Sequence, residues 1–184
     1  IRLWVTTSTV ISVRRRKVWA VDAMRQTAET GKAPKDVGAF LAELSLGLAK
    51  RIESVSLELE DETDELEEKG IAGNLHISSD VVRLRQTLIK LRRYVSPQRD
   101  ALDAMANHTG DLLDASAKAH IKDTANRTRR TLEELDASRE RLTALNDHLD
   151  SAQTNALSKN SYVLSVVAAI FLPLGFLTGL FGVN

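Results

Sequence analysis

Tyr162 to Val183 is a run of 22 residues without a single charge. As a helix rising 1.5 Å per residue it spans about 33 Å, enough to cross a bilayer. From Asp111 to Leu172 there is neither proline nor glycine. Over that stretch Ile121, Ala125, Leu132, Leu135, Leu142, Leu145, Leu149, Ala152 and Ala156 follow a coiled-coil-like period. The pattern predicts one helix that starts as a charged stalk and continues into the membrane without interruption. Lys159 stands just before the apolar run, on the side that the positive-inside tendency assigns to the cytosol, and Tyr162 suits an interfacial anchor. A core helix of a soluble protein is the minority reading of such a run.

The remainder of the chain must then be a cytosolic assembly of helices. Its 25 basic and 25 acidic residues balance, which argues against a nucleic-acid binder. The charges are nonetheless segregated. Residues 1–33 carry 7 basic and 2 acidic groups, 34–69 carry 4 and 11, 70–110 carry 6 and 3, and 111–160 carry 8 and 9. There is no cysteine, so disulfides and thiolate metal sites are excluded. Aromatic residues make up 4% of the chain, sparse for a compact core and ordinary for long helices packed through Leu, Ile and Ala.

Residues 1–33 hold the strand character. Val5, Val10, Ile11, Val13 and Val18, mixed with threonine, suit short strands broken at "TTST" and "RRRK". So few residues cannot make an independently stable sheet, and the segment reads as the C-terminal piece of a larger α/β domain. From Pro34 the period becomes helical. Val37, Leu41, Leu44, Leu48, Ile52, Val55 and Leu59 form one stripe of a helix running to about Lys69, with Gly70 and Gly73 as its stop. A second helix is predicted from a Ser79-Asp80 cap, with Ser96-Pro97 as a kink or restart. The short connection folds the two back as an antiparallel hairpin over 34–110.

Near the tip of that hairpin, "ELEDETDELEE" places eight carboxylates in residues 58–68. A solvated helix end, relieved in part by Arg83 and Arg85 on the returning helix, is the favoured reading; a cation-concentrating field is the other. The four histidines show no i, i+4 pair, so no single helix presents a bidentate metal site. His148 beside Asp147 is a candidate metal pair only if a neighbouring subunit supplies further ligands. Nothing resembling a nucleophile–base–acid arrangement or a phosphate loop appears, and the chain does not read as an enzyme.

The last stretch, "IFLPLGFLTGLFGVN", resembles the end of the first transmembrane helix of the CorA-type divalent cation transporters, in which an aromatic-x-Pro segment leads to a terminal Gly-x-Asn signature. The order of elements is similar as well: a β-containing piece, an acidic hairpin, a very long stalk helix, then the signature. Gly182-Val183-Asn184 stands where magnesium-transporting members carry Gly-Met-Asn, and it looks like the zinc-transporting branch. The resemblance implies a mainly α fold: residues 1–33 from the end of an α/β cytosolic domain, a helical hairpin at 34–110, a stalk helix at 111–161 and a first transmembrane helix at 162–184. It implies a funnel-shaped homopentamer in a bacterial inner membrane, residues 1–161 cytosolic. A transported divalent cation, zinc foremost, is the cargo, and no cofactor is expected. The chain would be part of a longer transporter whose second transmembrane helix lies outside it.

The same resemblance assigns roles. Gly182, Val183 and Asn184 form the ion-selecting signature, with a ring of Asn184 amides facing the hydrated ion. Pro173 is a candidate hinge. Counted back from Asn184, Leu172 and Leu164 fall at apolar constrictions of the pore, Gly175 at a position that is a polar threonine in relatives, and Asp147 at a cytosolic acidic ring. Ser158 and Ser161 share a helical face and offer hydroxyl oxygens to a passing ion. Two alternatives stand beside this reading: a magnesium, cobalt or nickel transporter of the same family, and a membrane-tethered coiled-coil signalling or scaffold protein.

Overall fold

The computed structural model describes residues 1–15 and 17–182. Two short strands, β1 (Arg2–Val5) and β2 (Val10–Val13), pair antiparallel with Val5 opposite Val10. Thr6 closes the turn between them, its amide donating to the Thr9 carbonyl at 2.9 Å. Helix α1 (Trp19–Glu29) follows. Strand-forming Val18 is therefore the residue before a helix, a departure from the purely β reading of this segment. Ala20, Ala23, Met24 and Gln26 are good helix formers, and their preference prevails once Ala20 is buried against Gly47 of the next helix.

Helix α2 runs Val37–Ile71, capped by the Asp36 carboxylate, which accepts from the Ala39 amide at 2.7 Å. Its end differs from the expectation. Gly70 lies inside the helix and is buried because a Cβ there would come within 2.5 Å of Leu145 Cδ1. Gly73, at φ +81°, makes the left-handed turn that stops it. The Asn74 side chain then caps a single 3-10 turn, Leu75–Ile77, which leads straight into α3 (Ser78–Ala106). No side chain caps α3, so Ser79-Asp80 lies in its first turn and not at its cap. The helix passes through Pro97 without restarting.

Helix α4 (Ala115–Leu180) begins at Asp114, whose carboxylate accepts from the Ala117 amide at 2.7 Å, and continues for 66 residues. It is the centre of the fold, since α2 and α3 each pack more extensively on it than on one another. Leu135, Leu142, Leu145 and Leu149 of α4 meet Leu59 and Leu66 of α2 and Val81, Leu84, Leu88 and Val95 of α3 in one core. A second core joins Val37, Leu102, Ile121 and Ala125, with Leu3, Val5 and Val10 of the hairpin packed against it. Buried threonine hydroxyls are satisfied within their own helices. Thr63, Thr124 and Thr128 donate to the carbonyls four residues back, at 2.8, 2.9 and 2.8 Å.

The acidic run of α2 is answered by a residue that the sequence reading passed over. Arg83 pairs with Asp80 of its own helix, and Arg85 forms no ion pair among the described residues. Arg141 of α4 instead takes Glu67 in a fork, Nε donating to Oε1 at 3.0 Å and Nη2 to Oε2, and reaches Asp64 with Nη2. Hydrogen bonds donated to Glu67 and then to Asp64 hold the guanidinium more firmly protonated than usual. Arg141→Gln is expected to cost about 1 kcal/mol, a figure kept small because the side chain is 36% exposed and solvent screens the pair. Thermal unfolding at low salt reads the loss, and at high salt the gap between variant and wild type should narrow. A few residues away, Glu134 forms no ion pair among the described residues. Burial, with Glu60 and Glu53 nearby, raises its pKa against the pull of Arg130.

Candidate functional site

Down to Leu149, α4 is pressed against α2 and α3; beyond it no described residue is buried. The free portion includes the whole apolar segment, long enough to cross a membrane and 0% buried. Tyr162, Leu164, Phe171, Leu172, Phe176 and Phe181 are each at least 65% exposed, so this surface must be covered by lipid or by other helices.

One face of it differs from the others. Starting at Asp147 and stepping by four and three, the residues are Ser151, Thr154, Ser158, Ser161 and Ser165. The same steps continue through Ala168, Leu172, Gly175, Gly179 and Gly182. Leu172 is the single large side chain in the stripe. Asp147 is exposed between buried Leu145 and Leu149, and two residues correspond to about 200° of helix rotation, so the stripe begins on the side of α4 turned away from its own bundle. A repeat of 3.5 residues drifts by about 20° per heptad on a straight helix, and stays on one line only if helices wind left-handed about a common axis.

The hydroxyls on this face have a particular polarity. Ser165 donates to the Ser161 carbonyl at 2.9 Å and Thr154 to the Asp150 carbonyl at 2.9 Å. With their protons turned inward, their oxygens are left as acceptors, which is what the water shell of a cation requires. Gly175 stays open, with no atom within 4 Å of a Cβ placed there, and its carbonyl accepts from Thr178 Oγ1 at 3.1 Å. Pro173 leaves the Ala169 carbonyl without its usual donor, yet the helix continues to Leu180. Gly182, at φ +62°, adopts the left-handed conformation just past the helix end, its amide 3.4 Å from the Gly179 carbonyl.

Of the sequence-derived candidates, Asp147, Ser158, Ser161, Leu172, Gly175 and Gly182 fall on the stripe. Leu164 stands one residue out of register, about 80° round from Leu172, and Ser165 takes its place. Val183 and Asn184 lie outside the described residues. His148 is exposed and turned about 100° from Asp147. Among the described residues no three histidine or carboxylate side chains gather closely enough to hold one metal ion, so that pair needs donors from elsewhere. Ser151, Thr154, Ser165 and Ala168 were missed because each is unremarkable singly. Carrying the 3.5-residue count forward from Asp147 would have found them.

All 184 residues match the model of a family described as CorA-like Mg2+ transporter protein. The chain belongs to this CorA-like family. Among its relatives is the zinc transport protein ZntB of Pectobacterium carotovorum subsp. carotovorum (strain PC1), 33% identical over the whole chain. The CorA-like chain spans 56% of that relative's length. The full-length CmaX structure is similar with a TM-score of 0.89 at 29% identity, covering 99% of this chain and 56% of that one. The CorA magnesium transporter of Methanocaldococcus jannaschii shares the fold with a TM-score of 0.86 at 21% identity, over 99% of this chain and 59% of the other. The family resemblance read from the terminal signature is thereby established, together with the mainly helical fold built on a long stalk.

Proposed function

We propose that this chain supplies the cytosolic helices and the pore-lining helix of a homo-oligomeric divalent-cation transporter, with zinc as cargo. The observation that carries the reading is the stripe from Asp147 to Gly182: an acid at its cytosolic end, hydroxyls through the approach, a leucine girdle and then glycines. Repeated around an axis, such a face offers water-binding oxygens to a hydrated ion and a single apolar constriction. Zinc is favoured over magnesium by Val183 in the signature and by the zinc transport relatives. The division at residues 33, 110 and 161, a pentameric assembly and an inner-membrane location with 1–161 cytosolic belong to the same proposal. Asn184 amides provide the selecting ring at the mouth.

Two substitutions in the complete transporter test the face, by zinc uptake into proteoliposomes. Ser165→Leu adds a second apolar girdle on the stripe, and a barrier raised by ~1.4 kcal/mol slows flux about tenfold. Val167→Phe, some 200° away, faces away from the proposed pore, toward lipid or neighbouring helices, and should slow uptake far less. Equal effects of the two would overturn the pore-facing assignment. Absence of uptake by the wild-type protein would favour the tethered-scaffold alternative, and faster uptake of magnesium than of zinc would move the cargo to magnesium.

A further inference from the structure

Helix α4 is flanked, not surrounded. Arg127 and Arg141 on one side reach Glu53, Asp64 and Glu67 of α2, whereas Arg129 and Asp136, each two residues from that line, reach Asp103 and Arg92 of α3. Two residues are about 200° of rotation, so α2 and α3 lie side by side on one face of α4 with their ion pairs on its two flanks, and each keeps an outward edge. On α2 the edge is Leu57, Asp61, Asp64, Glu68 and Ile71, stepping by four and three; all are exposed, Ile71 at 84%. It is acidic in the middle and apolar at its ends. Among the described residues, Asp61 and Glu68, with neighbouring Glu58, form no ion pair.

The other edge is its complement. Leu75, Val82, Gln86, Ile89 and Arg93 recur on one line of α3 and the turn before it, all exposed. Arg85, Lys90 and Arg93 form no ion pair among the described residues. Glu62, Glu65 and Lys69 share a cleft with Asp80 and Arg83, which sets the heights of the two helices. By that scale Asp61 stands level with Gln86, and Ile71 near Leu75.

We propose that the acidic edge of α2 docks on the basic and apolar edge of α3 of a second copy of this chain, head to tail. Pairing an edge with its own copy would set carboxylates against carboxylates or guanidinium against guanidinium, which costs free energy, whereas unlike edges attract. A head-to-tail contact between unlike patches closes into a ring when the rotation fits. It also leaves the back face of α4, where the Asp147 stripe begins, turned toward the ring axis. The inference rests on the oligomeric reading above and specifies which surfaces carry it.

This chain brings no cysteine of its own, and any cysteine in the rest of the complete protein is first replaced by serine. The complete protein in detergent carries Asp61→Cys, Gln86→Cys or both, and is treated with a short bis-maleimide at low salt. The expected result is a ladder of covalent multimers for the double variant, monomer alone for each single variant, and a weaker ladder at high salt. An oligomer of unchanged mass that fails to cross-link overturns this interface and leaves the oligomeric reading standing. Dimers from Asp61→Cys alone overturn it in favour of α2 pairing with α2. A monomeric wild-type mass overturns both.

Discussion

Leu142→Ala is expected to lower the unfolding free energy by about 3 kcal/mol, in the range found when a fully buried leucine leaves a cavity. Leu142 is 0% exposed and sits in the core where α2, α3 and α4 meet, between Leu135 and Leu149 on the same face of α4. The surrounding leucines are fixed on three long helices, so the site cannot collapse onto the missing atoms without shifting a whole helix. Loss of helical circular dichroism on heating in detergent reads the effect. Leu157→Ala provides the contrast: Leu157 is 60% exposed on the free part of α4 and should change the midpoint little. Similar losses for the two would mean that the α4 core does not extend to Leu142.

Asn184→Ala is expected to abolish zinc uptake while leaving the melting temperature unchanged. Asn184 follows in sequence the last turn of α4, which ends at Leu180 with Phe181 and the left-handed Gly182 closing it. Both cores are built from residues up to Leu149, so the substitution is expected to leave their packing unchanged. In the proposed mechanism it deletes a ring of neutral amide oxygens that hold a hydrated divalent ion at the mouth, and methyl groups offer that water shell nothing. Asn184→Gln keeps the amide but moves it by one methylene, so partial uptake is expected. Uptake in the alanine variant equal to wild type would take the signature out of the mechanism. Loss of uptake together with loss of stability would assign Asn184 a folding role instead.

What was legible in the sequence was whatever repeats at short range. The stripe from Val37 to Leu59 and the uninterrupted run from Asp111 specify α2 and α4, because a helix is stabilised by residues three and four apart and its apolar face is written in the same spacing. The 22 uncharged residues from Tyr162 mark the membrane segment, since hydrocarbon tolerates little else. The hydroxyl and glycine face from Asp147 to Gly182 is written there too, in a 3.5-residue period.

The rest is set by distances between residues far apart in the chain. Arg141 and Glu67 are 74 residues apart, and nothing near either one says that this arginine, and not Arg83 or Arg85, answers the acidic run. Gly70 reads as a helix stop because glycine often is one, and only the approach of Leu145 makes it a packing position inside α2. Val18 and Trp19 favour strand by composition, yet the chain enters α1 because burying Ala20 on Gly47 outweighs a propensity difference worth a few tenths of a kcal/mol. Local preference is weak and has many solutions. Which helices lie side by side is decided by the burial of apolar surface among long-range neighbours, and that exists only once the tertiary structure has formed.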